Sequence, residues 1–287
     1  MLICVDGTGK HDTAEYFTKA QNGFVLQIYG KSVVPGKRYH RGPGATGLGE
    51  WAWGKQIPPA VVVAEILQMW SLGDHKIFMT GFSRGAATLI NVAALLKKQR
   101  KDIEIQAMFL FDAVDRSAEL SMTSDIPSNV KSCYHAIRLQ DPNRSDDTGS
   151  RESFGHCGLN AQPPAKLTKR EFITTHGGMG GSCFGERSGI SGLRPIGPQA
   201  GPAELAARAD LLAHARVNEG FPDFKTRLTV LEEAMGCREV ADWMSQWLSK
   251  EQVCFQPLVP VTVSPRDQGH PQGIPHIISA LPPPPKR

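Results

Sequence analysis

The sequence predicts an α/β fold, a mostly parallel central sheet flanked by helices in a single domain with long loops. Three observations carry that expectation. Short apolar runs alternate with segments of helical period, as in a sheet covered on both faces. The chain has 287 residues, enough to bury a large core without covalent staples. One apolar run ends in a glycine-flanked turn that leads directly into a helix, a junction typical of such sheets.

Taken in order, strands are expected over 2–5, 24–29, 76–80, 106–111, 133–138 and 171–175, and helices over 59–70, 84–99, 202–217 and 227–248. In 59–70, Val62, Ile66 and Met69 recur at helical spacing, and Pro59 suits a first turn. Two stretches lack periodicity. Residues 31–55 are rich in Gly and aromatics, and 140–166 are rich in Asp, Asn, Ser, Gly and Pro. A third, 177–201, is dense in Gly. The Pro-rich end suggests a division into a catalytic domain, 1–255, and an extended or disordered tail, 256–287. No internal repeat is visible.

Composition narrows the function classes. Apolar content of 40% with 21% charged residues is that of a globular protein. The net charge is only +4, and the densest basic group, 97–101, falls at a helix end, where cations complement the helix dipole. No base-reading motif accompanies it, so no nucleic-acid partner is expected. The six cysteines form no C-x-x-C pair and read as reduced thiols. No run approaches the roughly 20 apolar residues of a membrane helix. The first residues read as a strand rather than a leader, so the expected location is the cytoplasm, or outside the cell without a cleaved signal peptide.

The most specific signal is Gly81-Phe82-Ser83-Arg84-Gly85-Ala86, a G-x-S-x-G turn between an apolar strand and an apolar helix. The strand-to-helix reversal lifts the Ser83 hydroxyl above the sheet, and the flanking glycines relieve crowding. Ser83 is therefore the candidate nucleophile. The amide of Arg84, at the helix start, is a candidate donor to a developing oxyanion. A second donor is expected from the turn after the first strand, Gly7 or Thr8 in Asp6-Gly7-Thr8-Gly9.

A serine hydroxyl needs a base, and the base an orienting acid. Asp112 ends the next strand, with Asp115 as its local rival. For the base, His176 stands at a strand end before a glycine run, 177–181, from which its ring can reach Ser83. His135 falls inside a strand and reads as a packed histidine. His156 lies in a polar loop, His214 on a helix, and His270 and His276 in the tail. This chemistry uses no cofactor and no metal.

These residues resemble a bacterial α/β-hydrolase family known through phospholipase effectors of the type VI secretion system. The likeness rests on Asp6-Gly7-Thr8-Gly9, Tyr39-His40-Arg41-Gly42-Pro43-Gly44, the Ser83 elbow and Phe111-Asp112-Ala113-Val114. It continues through Tyr134-His135-Ala136-Ile137-Arg138, a polar loop with Arg144 and Phe154, and His176-Gly177-Gly178-Met179-Gly180-Gly181. It covers roughly residues 1–185. The resemblance implies a triad of Ser83, Asp112 and His176 that cleaves ester bonds of glycerophospholipids. It also implies transient contact with a membrane surface, and an immunity protein or the secretion apparatus as partners. On the aromatic loop, Tyr39, Trp51 and Trp53 suit an acyl pocket, a lipid surface or ordinary core. Two features depart from the family. Gly178 stands where H-x-D-V-G-G has its acid, and only about 100 residues follow the histidine loop. A soluble carboxylesterase, thioesterase or amidase, or a non-enzymatic binding module on the same fold, are the alternative readings.

Overall fold

The computed structural model describes residues 1–7, 23–42, 57–115, 124–139, 156–183, 216–218 and 225–262. The strands, in chain order, are β1 (Leu2–Val5), β2 (Lys37–His40), β3 (Ile77–Phe82), β4 (Ile105–Phe111), β5 (Asp125–Ile126), β6 (Val130–Arg138), β7 (Asn160–Ala161), β8 (Lys166–Phe172), β9 (Ser182–Cys183), β10 (Arg216–Asn218), β11 (Lys225–Thr229) and β12 (Val261–Thr262). The helices are α1 (Phe24–Lys31), α2 (Pro59–Ser71), α3 (Arg84–Gln99), α4 (His176–Met179) and α5 (Val230–Lys250).

Six strands form one sheet in the order β2-β1-β3-β4-β6-β8, and every pair in it is parallel. Helices cover both faces. Val62, Ile66 and Leu89, from α2 and α3, pack with Ile3, Met79 and Met108 on one side. Phe24 and Ile28 from α1, with Val240 and Met244 from α5, pack with Phe78 and Phe109 on the other. This is an α/β-hydrolase-like arrangement. Strand order reverses at β1, which lies between β2 and β3, and in open parallel sheets ligands bind at the carboxyl ends beside such a reversal. Ser83 immediately follows β3 there.

Several expected elements differ. Residues 24–29 are helical, not a strand. A six-residue run with five apolar members fits either state, but β1's free edge is already taken by β2, so Phe24, Val25 and Ile28 bury as a helical stripe. β2 itself falls within 31–55, which read as irregular. The edge strand β8 spans Lys166–Phe172 rather than 171–175. It pairs on one side only, and its charged residues suit an edge. Helix α5 starts at Val230 rather than 227, because Thr229 and Glu232 form a reciprocal capping box there. Of the helix expected over 202–217, residues 202–215 lie outside the described residues, and Arg216 and Val217 belong to β10, paired with β11. In the C-terminal stretch, Leu258 and Val259 donate backbone hydrogen bonds to Ser245 and Gln27, and β12 pairs with β9. Residues 263–287 lie outside the described set. Among the described residues, no helix is long and apolar enough to cross a membrane.

Candidate active site

The site grows from the turn after β3. Ser83 has φ 55° and ψ −128°, a backbone conformation that residues with a Cβ rarely adopt. The chain holds it there from several sides. The Ser83 N–H donates to Phe111 O at 3.0 Å, and Ser83 O accepts from Ala87 N and Val114 N, both at 3.2 Å. The flanking glycines are required by close approach. A Cβ on Gly81 would lie 2.8 Å from Ala86 N, and one on Gly85 would lie 2.3 Å from Val5 O. Helix α3 thus presses its first turn against β1 and β3, with Arg84 as its opening residue.

Asp112, directly after β4, also has a positive φ of 44°. Its backbone N–H still donates to Ala136 O at 2.8 Å, so the carboxylate turns inward and has no exposed surface. Three donors meet it. His176 Nδ1 reaches Oδ2 at 2.7 Å, while His156 Nε2, at 2.8 Å, and the Arg138 N–H, at 3.0 Å, both reach Oδ1. Burial acts to raise the affinity of this carboxyl for a proton. The hydrogen bonds and charge of His156 and His176 outweigh it and hold the group well below the usual carboxylate range.

His176 completes the line. Its Nε2 is 2.9 Å from Ser83 Oγ. A carboxylate only accepts, so Nδ1 carries the hydrogen toward Asp112, and Nε2 of the neutral ring is left to accept from the Ser83 hydroxyl. His176 comes four residues after the end of β8 and opens α4, so the glycine run expected as a loop is partly a helical turn. The Thr175 hydroxyl caps that turn, accepting from Gly178 N at 2.9 Å, and donates to the buried carboxylate of Glu233 on α5. Thr174 Oγ1 donates to Glu233 O at 3.0 Å. A Cβ at Gly178 would meet Thr174 Oγ1 at 2.2 Å, so the family's acid has no room at that position. The Phe82 ring lies 4.8 Å from the imidazole.

The structure therefore brings Ser83, His176 and Asp112 together. The carboxylate that meets His176 Nδ1 is that of Asp112 rather than its rival Asp115. His135 is wholly buried, accepting from Ala113 N at 3.2 Å through Nε2 and donating through Nδ1 to Gly158 O at 3.1 Å. Burial pushes its pKa down to about 4 against the bond to Gly158 O and the charge of Asp112.

For the oxyanion donors the picture is mixed. Arg84 begins α3 beside Ser83, where opening amides lack acceptors within the helix. Gly7 sits against Ser83, since a Cβ there would be 3.0 Å from Ser83 Cβ. Its N–H, however, donates to Asp6 Oδ1 at 2.8 Å, which corrects the expectation that it faces an oxyanion in this conformation. Thr8 lies outside the described residues. The Asp6 carboxylate also accepts from Tyr39 Oη at 2.7 Å, and Gly42 packs on Gly7 O, so Asp6 and Gly7 meet β2 and the residues after it beside the serine. Trp51 and Trp53 lie outside the described residues. Among those described, no group of three or more His, Cys, Asp and Glu is disposed to hold a metal ion.

Sequence reasoning missed two residues. His156 carried no signal in its polar loop. Glu233 offered one faint sign, an acid on the inward face of an amphipathic helix.

No family profile matches this chain, and no curated protein matches it by sequence. Solved structures do. A hydrolase of the YdeN-like type from Pectobacterium atrosepticum is similar at 14% identity and a TM-score of 0.33, over 61% of this chain and 80% of that one. The RedJ thioesterase of prodiginine biosynthesis in Streptomyces coelicolor is similar at 12% identity and 0.33, over 63% and 80%. The NocB thioesterase domain from the nocardicin cluster is similar at 11% and 0.32, over 61% and 84%. At such scores these likenesses decide neither family nor substrate, and the site's own geometry has to carry the functional reading.

Proposed function

We propose that this chain is a serine hydrolase that cleaves carboxylic ester bonds through an acyl-enzyme. The observation that carries the proposal is the continuous hydrogen-bonded line from Ser83 Oγ through His176 to Asp112, mounted on a strained turn at the sheet's reversal point. In the first step His176 Nε2 takes the Ser83 proton as Oγ attacks the ester carbonyl. Asp112 keeps the ring in the Nδ1–H tautomer and offsets the imidazolium charge. The oxyanion rests on the Arg84 amide at the start of α3. The imidazolium then protonates the leaving alkoxide. Water, deprotonated by the same Nε2, releases the acid and restores Ser83.

For the substrate we infer a glycerophospholipid ester, cleaved by a phospholipase or lipase-type bacterial effector. The support is the resemblance of the D-G-T turn, the Tyr39 loop and the elbow to that family, together with their meeting around Ser83. The test compares the wild type with Ser83→Ala on phospholipid vesicles, on short p-nitrophenyl esters and with a fluorophosphonate probe. Fatty-acid release and labelling that vanish in the variant are expected. Turnover of soluble esters without vesicle hydrolysis would replace the lipid by a soluble ester or thioester. Equal labelling of both proteins would overturn the nucleophile.

A further inference from the structure

We propose that His156 is a positioning residue for the reaction, gripping the far oxygen of Asp112 so that the near one stays aimed at His176. The inference rests on the hydrolase reading above and adds a fourth side chain to it. Asp112 Oδ2 faces His176, and Oδ1 is held from the opposite side by His156 Nε2 at 2.8 Å. Both partners are sequestered, with side-chain exposures of 2% for His156 and 0% for Asp112. On Oδ1 the imidazole is the side-chain donor, beside the Arg138 N–H at 3.0 Å. Rotation about the Cβ–Cγ bond would break the charge-assisted bonds to both rings at once, and without His156 only the longer amide bond would hold Oδ1.

The segment bearing His156 is secured for this task. His156 forms an isolated antiparallel bridge with Val114, and Cys157 N donates to Ala113 O at 3.1 Å. His135, reaching from β6, ties the two sides together by accepting from Ala113 N and donating to Gly158 O. The residues after Asp112 are thereby stitched to those at and after His156, within two residues of the contact. Because Asp112 only accepts, His156 presents an Nε2–H to it, so the nitrogen at the site is a donor. Its effect is carried by Asp112. Holding Oδ1 fixes the plane of the carboxylate, and with it the line from Oδ2 to His176 Nδ1 that orients the ring toward Ser83. The ionisable groups around it are Asp112 on the β4 end, His176 on α4, His135 on β6 with Lys169 of β8 behind it, and the buried Arg138 at the end of β6.

The experiment measures kcat and KM of ester hydrolysis for the wild type, His156→Phe, His156→Asn and His156→Gln, with thermal melts alongside. The Phe ring keeps the volume and loses the donor. The Asn amide is too short to reach Oδ1, whereas the Gln amide places an N–H near the position of Nε2. Losing one hydrogen bond to a charged group should lower kcat about tenfold or more in Phe and Asn, with little change in KM. Gln should recover most of the lost rate. If Phe does not fold, Asn against Gln decides. Folded Phe and Asn variants with kcat within about twofold of wild type would overturn the inference, as would a loss confined to KM or a Gln variant as impaired as Phe. A wild type without Ser83-dependent turnover would instead sink the hydrolase reading.

Discussion

Acidification should destabilise this protein well before its carboxylates titrate, and His135 sets the window. Its ring is wholly buried and spends both nitrogens, one as acceptor and one as donor, in the neutral form. Folding lowers its pKa from 6.5 to about 4. The unfolded chain therefore binds a proton between those values that the folded chain refuses. The associated stability is intact above pH 6.5, declines as the pH falls through that interval, and levels off below 4. The full penalty is about 3 kcal/mol, of which about 2 kcal/mol is incurred between pH 7 and 5. Asp112 acts with the same sign, since its folded value is also depressed, but only below about 3.9, its ordinary value. Urea unfolding at half-unit steps from pH 7.5 to 4.5, on the wild type and on His135→Gln, reads the difference. His40, also lowered by burial, titrates in both proteins and cancels. The variant should be less stable at pH 7 and show the shallower pH slope, by up to about 1.4 kcal/mol per unit. Parallel slopes would falsify the assignment to His135, whatever the offset between the curves.

Substitution of the two glycines Gly85 and Gly30 should act in opposite directions. Gly85→Ala drives a Cβ into the backbone oxygens of Val5 and Asp6 and should cost about 3 kcal/mol in urea midpoints, whereas Gly30→Ala, in open space on α1, should gain about 0.5–1 kcal/mol. A neutral Gly85→Ala would mean that α3 sits farther from β1 than described. Asp112→Asn should keep the fold and lower kcat by roughly 10⁴-fold, because an amide facing Nδ1 favours the wrong His176 tautomer; retention of more than a tenth of the rate would remove Asp112 from the mechanism. Cys4, Cys133, Cys157, Cys237 and Cys254 are buried as free thiols, and burial drives the pKa values of Cys4 and Cys133 far up. In the native protein at pH 8 they should resist a thiol-titrating disulfide reagent on the time scale of minutes, and rapid reaction at more than one sulfur would contradict that packing.

What could be read beforehand divides along physical lines. The elbow was legible because local chemistry dictates it, with small residues at fixed offsets between a buried strand and a helix. Asp112 and His176 were legible as ends of elements on the same edge of the sheet. α1 was not, because so short an apolar run satisfies both periods and only the occupied edge of β1 decides between them. β2 and β8 escaped notice or were misplaced because edge strands carry charge where central ones carry Val and Phe. His156 lies 44 residues beyond Asp112, after a polar loop, and no local pattern encodes that meeting. The engagement of Gly7 by Asp6 was likewise invisible, since it depends on how Tyr39 reaches back across the turn.

The Thr175–Glu233 contact divides the mounting of the three groups between two bodies. Nucleophile and acid ride on neighbouring strands and share their rigidity, whereas the imidazole hangs from a bracket on α5. Sliding that helix along the sheet would alter both spans made by the ring while leaving Ser83 and Asp112 in place. Turnover is thereby tied to how firmly one helix is seated, so a packing change near Trp243 or Met244, remote from any bond being broken, would register first as a slower rate rather than as weaker substrate binding.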